Sequence, residues 1–76
     1  MRPKLIFITG APGTGKTEVA RGLFNRLPNS AWLDGDDVWR MNPFTVDDTT
    51  IALAHSNVGA VLRNYLAAGF SHVIFS

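Results

Sequence analysis

The chain has 76 residues, and seven Lys and Arg against six Asp and Glu give a formal charge of +1; that length holds one domain at most, with only about 60% of the unfolded surface buried on folding. At 46% hydrophobic and 17% charged it is too apolar for a disordered segment, and polar residues break it too often for a membrane span. No basic stripe or acidic block offers nucleic acid or anionic lipid an electrostatic footprint, and the lack of cysteine excludes a disulfide scaffold, a zinc-thiolate site and thiol catalysis.

The run Lys4 to Thr9 is short, apolar and rich in Ile and Phe, which predicts a strand buried on both faces of a parallel sheet. Its apolar part, Leu5 to Ile8, stops far short of a signal-peptide core, and with the cysteine count this points to a cytoplasmic setting. A glycine-rich loop, Gly10 to Gly15, follows. From Lys16 to Leu27 the residues Val19, Ala20, Leu23, Phe24 and Leu27 recur at helical spacing, and Pro28-Asn29 ends the pattern. Ser30 to Asp34 reads as a second strand, and Gly35-Asp36-Asp37 leads into a short turn, Val38 to Met41, limited by Pro43.

Asp47 or Thr45 caps a long second helix in which Ile51, Ala54, Val58, Val61, Leu62, Tyr65 and Leu66 recur at three and four, and Gly69 closes it. Ser71 to Ser76 is a third strand. Strands alternating with helices mean an α/β fold, with right-handed crossovers and a parallel sheet covered by helices. A strand that stops at the last residue lacks its carboxyl-end loop, where open parallel sheets place ligand groups, so the chain reads as part of a longer domain.

Gly10-Ala11-Pro12-Gly13-Thr14-Gly15-Lys16-Thr17 matches G-x-x-x-x-G-K-[ST], and it sits between a buried strand and a helix start, where the P-loop mechanism requires it. Glycines let consecutive N–H groups turn inward as an anion-binding nest, and the helix beginning near Lys16 adds unpaired N–H groups and the positive end of its dipole. Lys16 is expected to reach the β- and γ-phosphates of ATP, and Thr17 to hold Mg²⁺ through its hydroxyl.

Asp34, Asp36 and Asp37 are half of the six carboxylates, gathered at the carboxyl end of the second strand. A carboxylate there can take the proton of an attacking hydroxyl, and Asp36 is the first choice for that base, with Asp34 for metal or acceptor positioning. The competing role for these aspartates is to cap the short helix or form an ordinary Asp-Gly turn. Trp39 could stack on an acceptor and Arg40 clamp it; ordinary packing and a solvated charge are the alternatives. Trp32 is expected in the core. His55, His72, Arg21, Arg26 and Arg63 are expected in ordinary surface or half-buried roles.

The order of a buried strand, GAPGTGKT, a helix, a strand ending in LDGDDVWR, a long helix and a strand ending in Ser resembles the N-terminal half of the small P-loop kinases. That group includes adenylylsulfate kinase, gluconate kinase, chloramphenicol phosphotransferase and the polynucleotide kinase phosphotransferase domain. The resemblance implies that residues 1–76 are the N-terminal βαβαβ portion of a three-layer P-loop NTPase fold, within a single kinase domain. It implies a strand order of 2-3-1, ATP and Mg²⁺ as cofactors, and aspartates at positions 34 and 36 that contact the acceptor or its metal.

The aspartate that many P-loop ATPases carry at the end of the third strand is replaced here by Ser76, and the lid arginines of such kinases lie beyond the stretch matched. The expected activity is therefore transfer of the γ-phosphate of ATP to a hydroxyl of a small-molecule acceptor, with this stretch alone binding nucleotide weakly and turning over little. A nucleic-acid end is the less expected acceptor, and no membrane partner is expected. The alternatives are a nucleotide-binding ATPase or regulatory module without an acceptor, and a non-catalytic anion-binding fragment. An uncovered first-strand edge in the 2-3-1 order would favour self-association.

Overall fold

The computed structural model describes every residue except Met1 and Pro12 and runs β1 (Lys4–Phe7), α1 (Lys16–Arg26), β2 (Ser30–Leu33), a short 3-10 helix (Gly35–Trp39), α2 (Asp48–Ala67) and β3 (His72–Phe75). All strand pairs are parallel and the order is β1-β3-β2, the 2-3-1 arrangement expected. Leu5, Val73 and Ala31 lie in register across the sheet, as do Ile6, Ile74 and Trp32, so the two sets face opposite sides.

The helices take one side each. Leu62 of α2 packs with Leu33 and Val73, ringed by Val58, Val61, Tyr65, Leu66, Phe70 and Phe75, and this is the larger core. On the other face Phe24 of α1 meets Trp32, ring centroids 6.0 Å apart, and Ala20 and Ile74 are fully buried. The result is the three-layer α/β portion of a P-loop fold, with helix, sheet and helix.

Both helices lie over β2 and β3. The expectation that the first strand is buried on both faces is therefore corrected: Leu5 is 39% and Phe7 59% exposed, and only Ile6 is half-buried. An apolar run measures what a strand can bury, and at this edge, among the described residues, β3 is its one strand neighbour. The same geometry limits α1, whose apolar stripe buries Ala20 fully but leaves Val19 55% exposed. Trp32 is likewise half-buried rather than central, and its Nε1–H donates to Ser76 Oγ at 2.9 Å.

Local capping explains where the helices begin. Asp34 accepts the Asp36 N–H on Oδ1 at 3.0 Å and the Asp37 N–H on its carbonyl at 3.0 Å. Its capping starts the 3-10 helix at Gly35, earlier than the turn expected from Val38. At α2 the cap is Asp47 rather than Thr45: the Thr50 N–H donates to Asp47 Oδ1 at 2.9 Å and the Asp47 N–H donates to Thr50 Oγ1 at 2.9 Å, a reciprocal capping box. Gly69, with φ +94°, follows the last turn as expected of a left-handed C′ residue. No helix among the described residues is long and apolar enough to cross a membrane.

Candidate nucleotide and acceptor site

The glycine loop leaves β1 and turns into α1 with φ of +155° at Gly10, +81° at Gly13 and +84° at Gly15. A Cβ at Gly10 would lie 2.8 Å from Thr14 Oγ1, so close that the threonine would have to shift. Thr14 closes the turn, donating from Oγ1 to the Ala11 carbonyl at 2.6 Å and from its N–H to the same oxygen at 3.3 Å. Pro12, also expected in the phosphate loop, lies outside the described residues. The Lys16 side chain folds back over the loop, its Cγ and Cδ 3.4 and 3.6 Å from the position a Gly10 Cβ would occupy.

The N-cap of α1 is Gly15, and no side chain caps this end. The first-turn N–H groups are thus left for an external acceptor, at the end of the helix where the dipole favours an anion. Beside them lies a cavity of about 250 Å³ lined by Gly13, Gly15, Lys16, Thr17, Glu18 and Asp36. Thr17 is exposed there, and its hydroxyl makes no hydrogen bond among the described residues. Glycine dihedrals, an uncapped helix start, a lysine folded over the loop and a free hydroxyl form a donor set that fits a polyphosphate with its Mg²⁺.

A larger cavity of about 410 Å³ opens at the carboxyl ends of the strands. Ile8, Thr9 and Gly10 reach it from β1, Gly35, Asp36, Val38 and Trp39 from the segment after β2, Ala54, His55 and Val58 from α2, and Phe75 and Ser76 from β3. Lys16 and Asp36 border both cavities. The two lie on different loops, and β3, standing between β1 and β2, brings those loops to neighbouring positions on one rim.

The remaining expected site residues divide. Trp39 lines the larger cavity and packs edge-on against Phe44, centroids 6.4 Å apart. Asp34 lines neither cavity and caps the 3-10 helix. Arg40 lines neither as well: its Nε and Nη2 contact Asp37 Oδ1 at 3.0 and 2.8 Å on the exposed outer side. His55 and Gly35 also line the larger cavity, a place the sequence did not lead one to expect for either. His55 adjoins Ala54, which shares a helical stripe with Val58 and Leu62, and that phase was the available signal.

The family model described as Zeta toxin matches residues 1–72. No curated protein and no solved structure matches the chain. The chain belongs to the Zeta toxin family, a P-loop, kinase-like family; this is the general class expected from GAPGTGKT and LDGDD, reached without support for any one of the enzymes first compared.

Proposed function

We propose that this Zeta toxin family chain is the phosphate-binding part of an ATP-dependent phosphotransferase that moves the γ-phosphate to a hydroxyl of a small-molecule acceptor. The observation that supports this most is the shared border: Lys16 and Asp36 line both the hollow at the glycine loop and the larger cavity beside it. A pure ATPase needs room for one water, whereas 410 Å³ walled by Val38, Trp39, Ala54 and Val58 suits an organic acceptor.

Bound ATP supplies the phosphoryl group, and Mg²⁺ neutralises its charge. The loop N–H groups and the uncapped start of α1 hold the phosphate oxygens, and Lys16 lies over them as a mobile positive charge. Thr17 offers its hydroxyl to the cation. Asp36, facing the acceptor cavity, orients the attacking hydroxyl and accepts its proton, while Trp39 supplies an apolar face for the acceptor. Asp34 acts by capping the turn that carries Asp36.

The test has two parts. Titration with Mg-ADP carrying a fluorescent label should show Lys16→Ala binding about 10- to 100-fold more weakly, the range for losing one charge-assisted contact. Asp36→Asn should retain nucleotide affinity while transfer to a pooled panel of nucleosides, sugar acids and hydroxylated antibiotics, followed by phosphorus NMR, falls about 10²- to 10⁴-fold. Unchanged nucleotide affinity in folded Lys16→Ala, or phosphate released only to water, refutes the assignment.

A further inference from the structure

Ser76, the residue after β3, is held at three points by the chain in and after β2. Its N–H donates to the Leu33 carbonyl at 3.1 Å, its carbonyl accepts the Gly35 N–H at 2.7 Å, and its Oγ accepts the Trp32 Nε1–H at 2.9 Å. An indole N–H only donates, so Oγ is the acceptor in the last of these and keeps a proton of its own to give. Among the described residues no other polar atom bonds to that oxygen. Ser76 lines the larger cavity, and so does Gly35, which bonds to its carbonyl and precedes Asp36 in the chain. Trp32 borders neither cavity, and its ring packs against Phe24 on the α1 side of the sheet.

We propose that Trp32 is a positioning residue that acts through Ser76: its indole N–H occupies a lone pair of Ser76 Oγ and turns the hydroxyl proton toward the larger cavity, as a donor to an oxygen of the phosphoryl acceptor. A free serine hydroxyl rotates to suit any neighbour, whereas one that already accepts a hydrogen bond must point its proton elsewhere. The backbone clamp fixes where the oxygen stands, and the indole fixes which way its proton points. An ionised Asp36 can only accept, so Ser76 supplies the complementary donor on the same wall, for an oxygen beside the reacting hydroxyl. This inference rests on the kinase assignment above and deepens it by naming a residue outside the cavity that orients a donor within it.

The chain has two tryptophans, so the nitrogen-labelled protein gives two indole N–H signals in NMR, and Trp39→Phe leaves that of Trp32 alone. Ser76→Ala should move the Trp32 signal upfield and speed its exchange with solvent, because its acceptor is gone. Glycerol titrated into the full chain saturated with Mg-ADP should move the signals of both Trp39, in the cavity wall, and Trp32, behind it. 1-Propanol has the same carbon skeleton without the neighbouring oxygens and should move Trp39 alone. Glycerol binding should weaken about 2- to 13-fold in Ser76→Ala, the range for one neutral hydrogen bond, and Ser76→Thr should keep most of it. Trp32→Phe should weaken it by a smaller factor, and the double variant should match Ser76→Ala, since the indole acts only through the hydroxyl. Should Trp32→Phe not fold, the Ser76 variants decide.

A Trp32 signal unmoved by Ser76→Ala, the same response to both alcohols, no detectable glycerol binding, or losses that add in the double variant overturns the proposal while the kinase assignment stands. Failure of Mg-ADP itself to bind removes both.

Discussion

The phosphate loop makes its sharpest demand at Gly10. Replacing it with alanine puts a methyl 2.8 Å from Thr14 Oγ1, an atom already committed to the Ala11 carbonyl at 2.6 Å. The loop then has two costs to meet. Holding an L-residue at the Gly10 φ of +155° costs about 1–3 kcal/mol, and pushing Thr14 aside loses a hydrogen bond worth about 1 kcal/mol net. Together these come to about 2–4 kcal/mol, or about 30- to 1,000-fold in nucleotide affinity if the loop must regain its shape to bind. Gly10 is exposed and outside the core, so circular dichroism of Gly10→Ala should remain close to wild type while labelled Mg-ADP binding falls by that factor. Adding Thr14→Ala removes the clashing oxygen, and the double variant should bind better than Gly10→Ala alone. Independent effects in that cycle, or wild-type affinity in Gly10→Ala, would refute the loop geometry.

The Asp47 carboxyl is held below the ordinary Asp value of 3.8, chiefly because it accepts the Thr50 N–H. The folded state therefore holds this proton less tightly than the unfolded chain, so the cap's contribution is complete above the ordinary value and is lost as pH falls through the lowered one. Far-UV circular dichroism of Asp47→Asn, which keeps an acceptor without a titrating group, should lose part of the acid-induced drop in helicity; an identical acid profile would exclude this cap as a source of it. At the sheet edge, Lys4 and Ile8 donate to β3, which turns the N–H groups of Leu5 and Phe7 toward the open side beside exposed apolar side chains. We propose that this edge pairs with further chain: sedimentation velocity should show concentration-dependent association, reduced in Leu5→Lys/Phe7→Lys, and a wild-type chain monomeric at every concentration would contradict it.

The phosphate loop was legible because its determinants are local: glycine spacing, Lys16 and Thr17 are contiguous, and the strand and helix that flank them are marked by apolar run and period. The strand order was also legible, through the resemblance. The larger cavity was not, since it joins Ile8, Gly35, Trp39, His55 and Phe75 from four separate elements, and no sequence window holds them together. Asp34 and Arg40 show a second limit. An aspartate immediately before a helix start and an arginine three after an aspartate have local partners available, and those contacts formed; residue type alone does not tell that Asp36 and Trp39 line the cavity and Asp34 and Arg40 do not. The exposure of β1 was missed for another reason, because hydrophobicity states what Leu5 and Phe7 would bury and says nothing about which neighbours stand beside them.

Gly35 ties these elements into one site. Its N–H donates to the Ser76 carbonyl at 2.7 Å, while a side chain there would lie 3.0 Å from that same oxygen and 3.2 Å from the Phe75 ring. The segment leaving β2 is thus pressed against the end of β3 so closely that a side chain there would have to push its neighbours back by a few tenths of an ångström. On the far side of β3, Ile8 donates to the Phe75 carbonyl at 2.9 Å just before the phosphate loop begins. The end of β3 therefore anchors both loops, one from each side, and this brings Asp36 to the same rim as Lys16. The glycine of LDGDD and Gly10 both stand where a Cβ would crowd a neighbour, more severely at Gly10: one lets the proposed phosphate loop turn, the other brings the proposed base up to it.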